Sequence, residues 1–107
     1  MINAIQRLTG AEVKGDVFEQ VESVVDRSDA STNRIRVRFR NGLTLSVIRG
    51  PYTYGGSMGL FEIAVIDQDG EFMPSLFDEK DSGDDVLGHC SPEKVLYYLE
   101  KVANYGG

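Results

Sequence analysis

An α+β fold, an antiparallel β-meander of three to four strands packed against a C-terminal α-helix, follows from three features of the sequence. Residues 34–40, "RIRVRFR", alternate strictly between apolar and basic side chains, the period of a half-buried strand. Residues 43–48, "LTLSVI", alternate too and follow Asn41-Gly42, a hairpin signal. From Ser91 onward, Val95, Leu96, Leu99, Val102 and Ala103 recur at helical spacing.

The hairpin has two candidate registers. A two-residue turn at Asn41-Gly42 sets Arg40 opposite Leu43, Arg38 opposite Leu45 and Arg36 opposite Val47, which mixes apolar and basic groups on both faces. A three-residue loop, Arg40-Asn41-Gly42, sets Phe39 opposite Leu43, Val37 opposite Leu45 and Ile35 opposite Val47. One face is then wholly apolar, and Arg36 and Arg38 join Ser46 and Thr44 on the other. A one-residue slip would misplace three large apolar groups at roughly 1.5–3 kcal/mol each. That outweighs the preference of Asn-Gly for a two-residue turn, so a type I turn closed by a G1 bulge is expected, with Gly42 at positive φ.

The other elements are read in chain order. Ile2, Ile5 and Leu8 suggest a short N-terminal helix over 2–9, stopped by Gly10. Residues 17–27 fit either a helical face or a strand; the valines and the turn-rich "RSDASTN" that follows favour a strand over 19–27. "GPYTYGGSMG" (50–59) is a glycine-rich loop, "LFEIAVID" (60–67) an apolar strand, and Asp69-Gly70 a turn. "EFM" begins a short further strand before Pro74. Residues 78–85, "DEKDSGDD", form an acidic loop. Ser91 caps the last helix, Pro92 takes its first position, Glu93 suits its positive end, and it stops near Asn104. Its apolar stripe is the cover that Ile35, Val37, Phe39, Leu45 and Val47 require.

At 107 residues the chain makes one α+β domain, 1–107, with one modest core. Its 41% apolar content is too high for a disordered tail. No apolar run nears the roughly 20 residues that span a bilayer. The N-terminus lacks the basic start and apolar stretch of a secretory signal, and Cys90 alone can form neither an internal disulfide nor a cysteine-based zinc site. These absences favour the cytoplasm and no membrane partner. The net charge of −6 is unevenly spread: residues 1–50 carry +2 and residues 51–107 carry −8. The overall sign opposes non-specific nucleic-acid binding.

Arg34, Arg36, Arg38 and Arg40 form the first candidate site, a basic sheet face beside Thr44 and Ser46. It suits anions: nucleic-acid phosphates or an acidic protein. The plainer alternative is a solvated outer face neutralised by Glu19, Glu22 or Asp26. No aromatic residue interleaves with the arginines, so the stacking half of a single-strand surface is missing. The second candidate is the loop at 50–59, where Tyr52 and Tyr54 line a contact. It lacks a P-loop Lys-Ser/Thr and leads into a strand, which suits a structural loop or a partner contact better than a phosphate cradle. The acidic loop and "DQDG" at 67–70 lack the full EF-hand spacing, so no metal and no cofactor are expected. His89-Cys90 is the one place for nucleophile–base chemistry, but chain neighbours rarely face each other and no third group orients the histidine. No catalytic residue is assigned, and the chain is not expected to be an enzyme.

Two segments, "FRNGLTLSVIRGPYTYGGSMGLFEIAVID" and "DDVLGHCSPEKVLYYLEKV", carry a resemblance. Asn41-Gly42, Ser46-Val47, Tyr54-Gly55-Gly56, Leu60-Phe61-Glu62, Asp84-Asp85-Val86 and Pro92-Glu93 recur in that order in small accessory proteins of tailed bacteriophages and prophages, which this chain resembles over residues 33–103. It departs from their pattern at Leu43-Thr44 and His89-Cys90-Ser91. The resemblance implies phage origin and action in the host cytoplasm. Such proteins are mostly of unassigned function, while many small early phage proteins bind and redirect host enzymes or block defence systems. The leading expectation is therefore a non-enzymatic binding module, a host-takeover or anti-defence inhibitor, with a host or phage protein as partner. The alternative is nucleic-acid binding through the arginine face. Pairing of a short edge strand is a route to a homodimer.

Overall fold

The computed structural model describes residues 6–7, 9–10, 12–13, 15–78 and 84–106. Gln6, Arg7 and Thr9 are helical, and Gly10 donates its N–H back to the Gln6 carbonyl. The remainder of the expected N-terminal helix lies outside the described residues. After it come α1 (Gly15–Glu19), β1 (Val21–Asp26), β2 (Asn33–Phe39), β3 (Thr44–Arg49), β4 (Phe61–Ile66), β5 (Leu87–Cys90) and α2 (Pro92–Ala103), with 3-10 turns at Gly56–Met58 and Pro74–Leu76.

The sheet is an antiparallel meander in sequence order, with β1 and β5 at its edges. It has five strands where the sequence suggests three to four. The extra strand, β5, is only four residues long and contains Gly88 and His89, the latter at φ 57. Such a strand has no alternation to read. The ambiguity at 17–27 resolves into both forms: a five-residue helix, then a strand that begins at Val21 instead of residue 19. "EFM" makes a single bridge, Ile66 to Phe72, and no strand.

The β2–β3 hairpin has the three-residue loop. Ile35 lies opposite Val47, Arg36 opposite Ser46, Val37 opposite Leu45 and Arg38 opposite Thr44. Phe39 N–H donates to the Leu43 carbonyl at 2.8 Å, Gly42 N–H donates to the Phe39 carbonyl at 3.0 Å, and Gly42 sits at φ 90, the G1-bulge arrangement. Gly42→Ala is expected to cost about 1–2 kcal/mol, because an L side chain there crowds the following carbonyl. Among the described residues, the nearest neighbour of an added Cβ is the Gln68 side chain, its amide oxygen at 3.1 Å, and that flexible side chain can swing away. Chemical denaturation would measure the loss.

The registry segregates the faces. Ile35, Val37, Phe39, Leu45, Val47, Phe61, Ile63 and Val65 are buried on the inner side, where Val95, Tyr98, Leu99, Val102 and Ala103 of α2 cover them. Ser91 Oγ accepts from Lys94 N–H at 3.2 Å, with Pro92 in the first turn, so the helix starts as its sequence dictates. Its far end is fixed by the hairpin tip. Asn41 Nδ2 donates to the carbonyls of Val102 (2.8 Å) and Tyr105 (3.3 Å), and Asn41 Oδ1 accepts from Leu43 N–H. One side chain thus satisfies a helix C-terminal carbonyl and braces the turn. Asp78 ties the segment before β5 to the same helix through Lys101 Nζ at 2.7 Å and the Tyr97 hydroxyl at 2.8 Å, while its own N–H donates to the buried Tyr98 hydroxyl at 2.9 Å.

The β1–β2 turn is stabilised by Asp29, whose Oδ1 accepts from Ser31 N–H, Thr32 N–H and Ser31 Oγ. These bonds, the Ser31 N–H first, hold the carboxyl below its ordinary range. A depressed folded-state pKa contributes stability at pH values above the unfolded pKa and loses it as pH falls through the folded one. The stability gap between wild type and Asp29→Asn is therefore expected to be open at pH 7 and to close on acidification below the ordinary aspartate range. Denaturant midpoints taken across that range check it.

Candidate functional site

Registry also builds the outer face. Arg36 stands between Val25 of β1 and Ser46 of β3, and Ser46 faces Ala64 of β4. Arg38 stands between Ser23 and Thr44, and Arg34 lies opposite Ile48. The arginines share one side, but they are not equivalent. Arg38 Nε pairs with Glu22 Oε2 at 3.1 Å, both side chains half exposed, and such a pair contributes at most about 1 kcal/mol. Arg40, in the turn beyond β2, donates from Nε to the Glu19 carbonyl at 2.9 Å. Of the three carboxylates considered as neutralisers, Glu22 alone meets an arginine of the row. Glu19 contributes its backbone, and Asp26 accepts from Ser28 N–H instead.

Among the described residues, Arg34 and Arg36 form no ion pair. Arg27, just past β1, joins them: its N–H donates to the Arg34 carbonyl at 2.8 Å. Arg27, Arg34 and Arg36 line a depression of about 130 Å³, with Ser46, Ile35 and Ile48 completing its wall. The cationic surface is thus a compact corner at one end of the sheet, not a continuous row.

The loop at 50–59 is the second site. It folds on itself: Gly50 N–H donates to Thr53 Oγ1, which donates in turn to the Gly50 carbonyl, both at 3.0 Å. Further bonds run from Gly56 N–H to the Thr53 carbonyl, from Met58 and Leu60 N–H to the Gly55 carbonyl, and from Tyr54 N–H to Glu62 Oε1. The Tyr54 carbonyl accepts from His89 N–H at 3.1 Å, which docks the loop on β5. On this fixed frame Tyr52 is 98% exposed, Met58 68% and Tyr54 62%. Tyr52 and Tyr54 are the two loop residues singled out in the sequence as lining a contact; Met58 was not singled out.

His89 and Cys90 face opposite ways. His89 is exposed, whereas Cys90 is fully buried against Phe61, with its Sγ donating to the Leu87 carbonyl at 3.5 Å. Much of the acidic loop, residues 79–83, lies outside the described residues. Among the described residues, no helix is long and apolar enough to cross a membrane. The edges of the sheet are irregular: the β1–β2 pairing shifts between Val21 and Ser23, and the β4–β5 pairing shifts between Phe61 and Ile63. Compared with protein-family models, curated proteins and solved structures, the chain matches none.

Proposed function

We propose that this chain is a small, non-enzymatic binding module of the phage-accessory kind, engaging a host or phage protein through the apex of the 50–59 loop. The observation that supports it is Tyr52, 98% exposed on a loop whose backbone is hydrogen-bonded at nearly every turn. A free aromatic side chain on water-facing backbone gains nothing for folding. Held on a fixed frame it makes an efficient anchor, because little backbone ordering remains to oppose association. Tyr54 and Met58 widen the contact with a second aromatic and an adaptable thioether.

The test compares tagged wild type with Tyr52→Ala/Tyr54→Ala by affinity purification from host cells. Wild type is expected to retain a partner in stoichiometric amount and the double variant to lose it. Both side chains are mainly exposed, so urea midpoints should agree within about 0.5 kcal/mol. Equal retention of the partner by both proteins would remove the loop from the account.

A further inference from the structure

We propose that the corner lined by Arg27, Arg34, Arg36 and Ser46 binds a single phosphoryl group, carried on a phosphorylated side chain of a protein partner. Three arginines line one depression of about 130 Å³ and, among the described residues, none is in an ion pair. The carboxylates nearest in sequence are hydrogen-bonded in their own turns, Asp26 accepting from Ser28 N–H and Asp29 from Ser31 and Thr32 N–H; the Arg34 charge acts on Asp29 only as a lesser influence than those bonds. Ser46 is 6% exposed, and among the described residues its hydroxyl makes no hydrogen bond, yet it lines the depression. A hydroxyl that reaches solvent at the depression, beside three arginines outside any ion pair among the described residues, is matched by a tetrahedral oxyanion. Guanidinium forks grip two oxygens, and the hydroxyl donates to a third. Ile48 supplies an apolar wall for the carbon that bears the ester.

The same observations favour one phosphoryl group over a nucleic-acid strand. A polymer needs a track of cations, but Arg38 and Arg40 are engaged by Glu22 and by the Glu19 carbonyl. A net charge of −6 repels a polyanion more than it repels one dianion. The choice of a protein as carrier rests on the binding-module reading. The assay below reads the corner alone, so its failure leaves the loop apex standing, and failure of partner capture leaves the corner standing.

The experiment is an amide-shift titration of the full chain with a capped Gly-Gly-phosphoserine-Gly-Gly peptide, its unphosphorylated form, inorganic phosphate and a single-stranded oligonucleotide. Saturable shifts centred on Arg27, Arg36 and Ser46 are expected with the phosphopeptide and not with the unphosphorylated form. The phosphopeptide should bind more tightly than inorganic phosphate. Arg36→Ala should weaken binding at least tenfold and Ser46→Ala severalfold, while Lys94→Ala, an equal charge change on α2, leaves it unaltered. Three results would overturn the proposal: no saturation at millimolar peptide, equal weakening by Lys94→Ala, or tighter binding of inorganic phosphate or of the oligonucleotide.

Discussion

Phe39→Ala is expected to lose about 3–5 kcal/mol of folding stability, among the largest single-residue effects in this fold. Phe39 is fully buried and closes the hairpin on which both faces depend. Its N–H and carbonyl make the two bonds that define the bulged turn, and it lies opposite Val21 on the edge strand. Truncation removes the ring's transfer free energy and leaves a cavity between sheet and helix that neighbouring side chains only partly fill. The backbone bonds survive, so the fold should persist with a lower denaturant midpoint and an unchanged slope. Against a total stability of about 5–15 kcal/mol for a domain of this kind, the variant stands near the edge of unfolding. A loss below about 1 kcal/mol would mean that the ring is not at the centre of the core.

Gly56→Ala is the second large effect. A Cβ on Gly56 would overlap the Gly50 carbonyl oxygen. The obstacle is backbone, so no side chain can swing aside, and the loop must open between Gly50 and Gly56. Overpacking of this kind costs about 1–3 kcal/mol. The consequence for recognition is larger than that figure suggests, because opening the loop displaces Tyr52 and Tyr54 together. Partner capture is expected to fall as far as in Tyr52→Ala/Tyr54→Ala, although both tyrosines remain. The far-UV circular dichroism should stay native, since the strands and α2 do not pass through this turn. Full capture by Gly56→Ala would show that the shape of the loop is irrelevant to binding.

The hairpin and α2 were legible in the sequence because each carries a strong periodic signal with a chemical boundary. Arg34 to Arg40 alternate without error, and Ser91-Pro92 marks a helix start that local chemistry alone enforces. Residues 17–27 were harder, because Val17 and Val21 both belong to the core but on different elements, one helical and one extended. β5 was invisible: its pairing to β4 is irregular, and Gly88 and His89 interrupt any alternation. The role of Asn41 as a brace for α2 needs contacts sixty-one and more residues away in the chain, which no local pattern encodes. Arg27 was missed for a similar reason. Its place beside Arg34 depends on the register of β1 against β2, and the bulge near Ser23 conceals that register in the sequence. Nor did charge alternation reveal that Arg38 meets Glu22 and Arg40 meets the Glu19 carbonyl while, among the described residues, Arg34 and Arg36 form no ion pair.

Core, basic corner and hairpin tip all follow from one strand registry, and main-chain proton contacts read it directly. Opposite residues outside the hydrogen-bonded pairs bring their Cα atoms closest, to about 4.5 Å. Because Phe39 and Leu43 share a backbone bond, those pairs here are Arg38 with Thr44 and Arg36 with Ser46. Strong nuclear Overhauser effects between the Hα protons of these two pairs are expected. Strong effects instead between Phe39 and Thr44 and between Val37 and Ser46 would establish the two-residue turn and contradict the account.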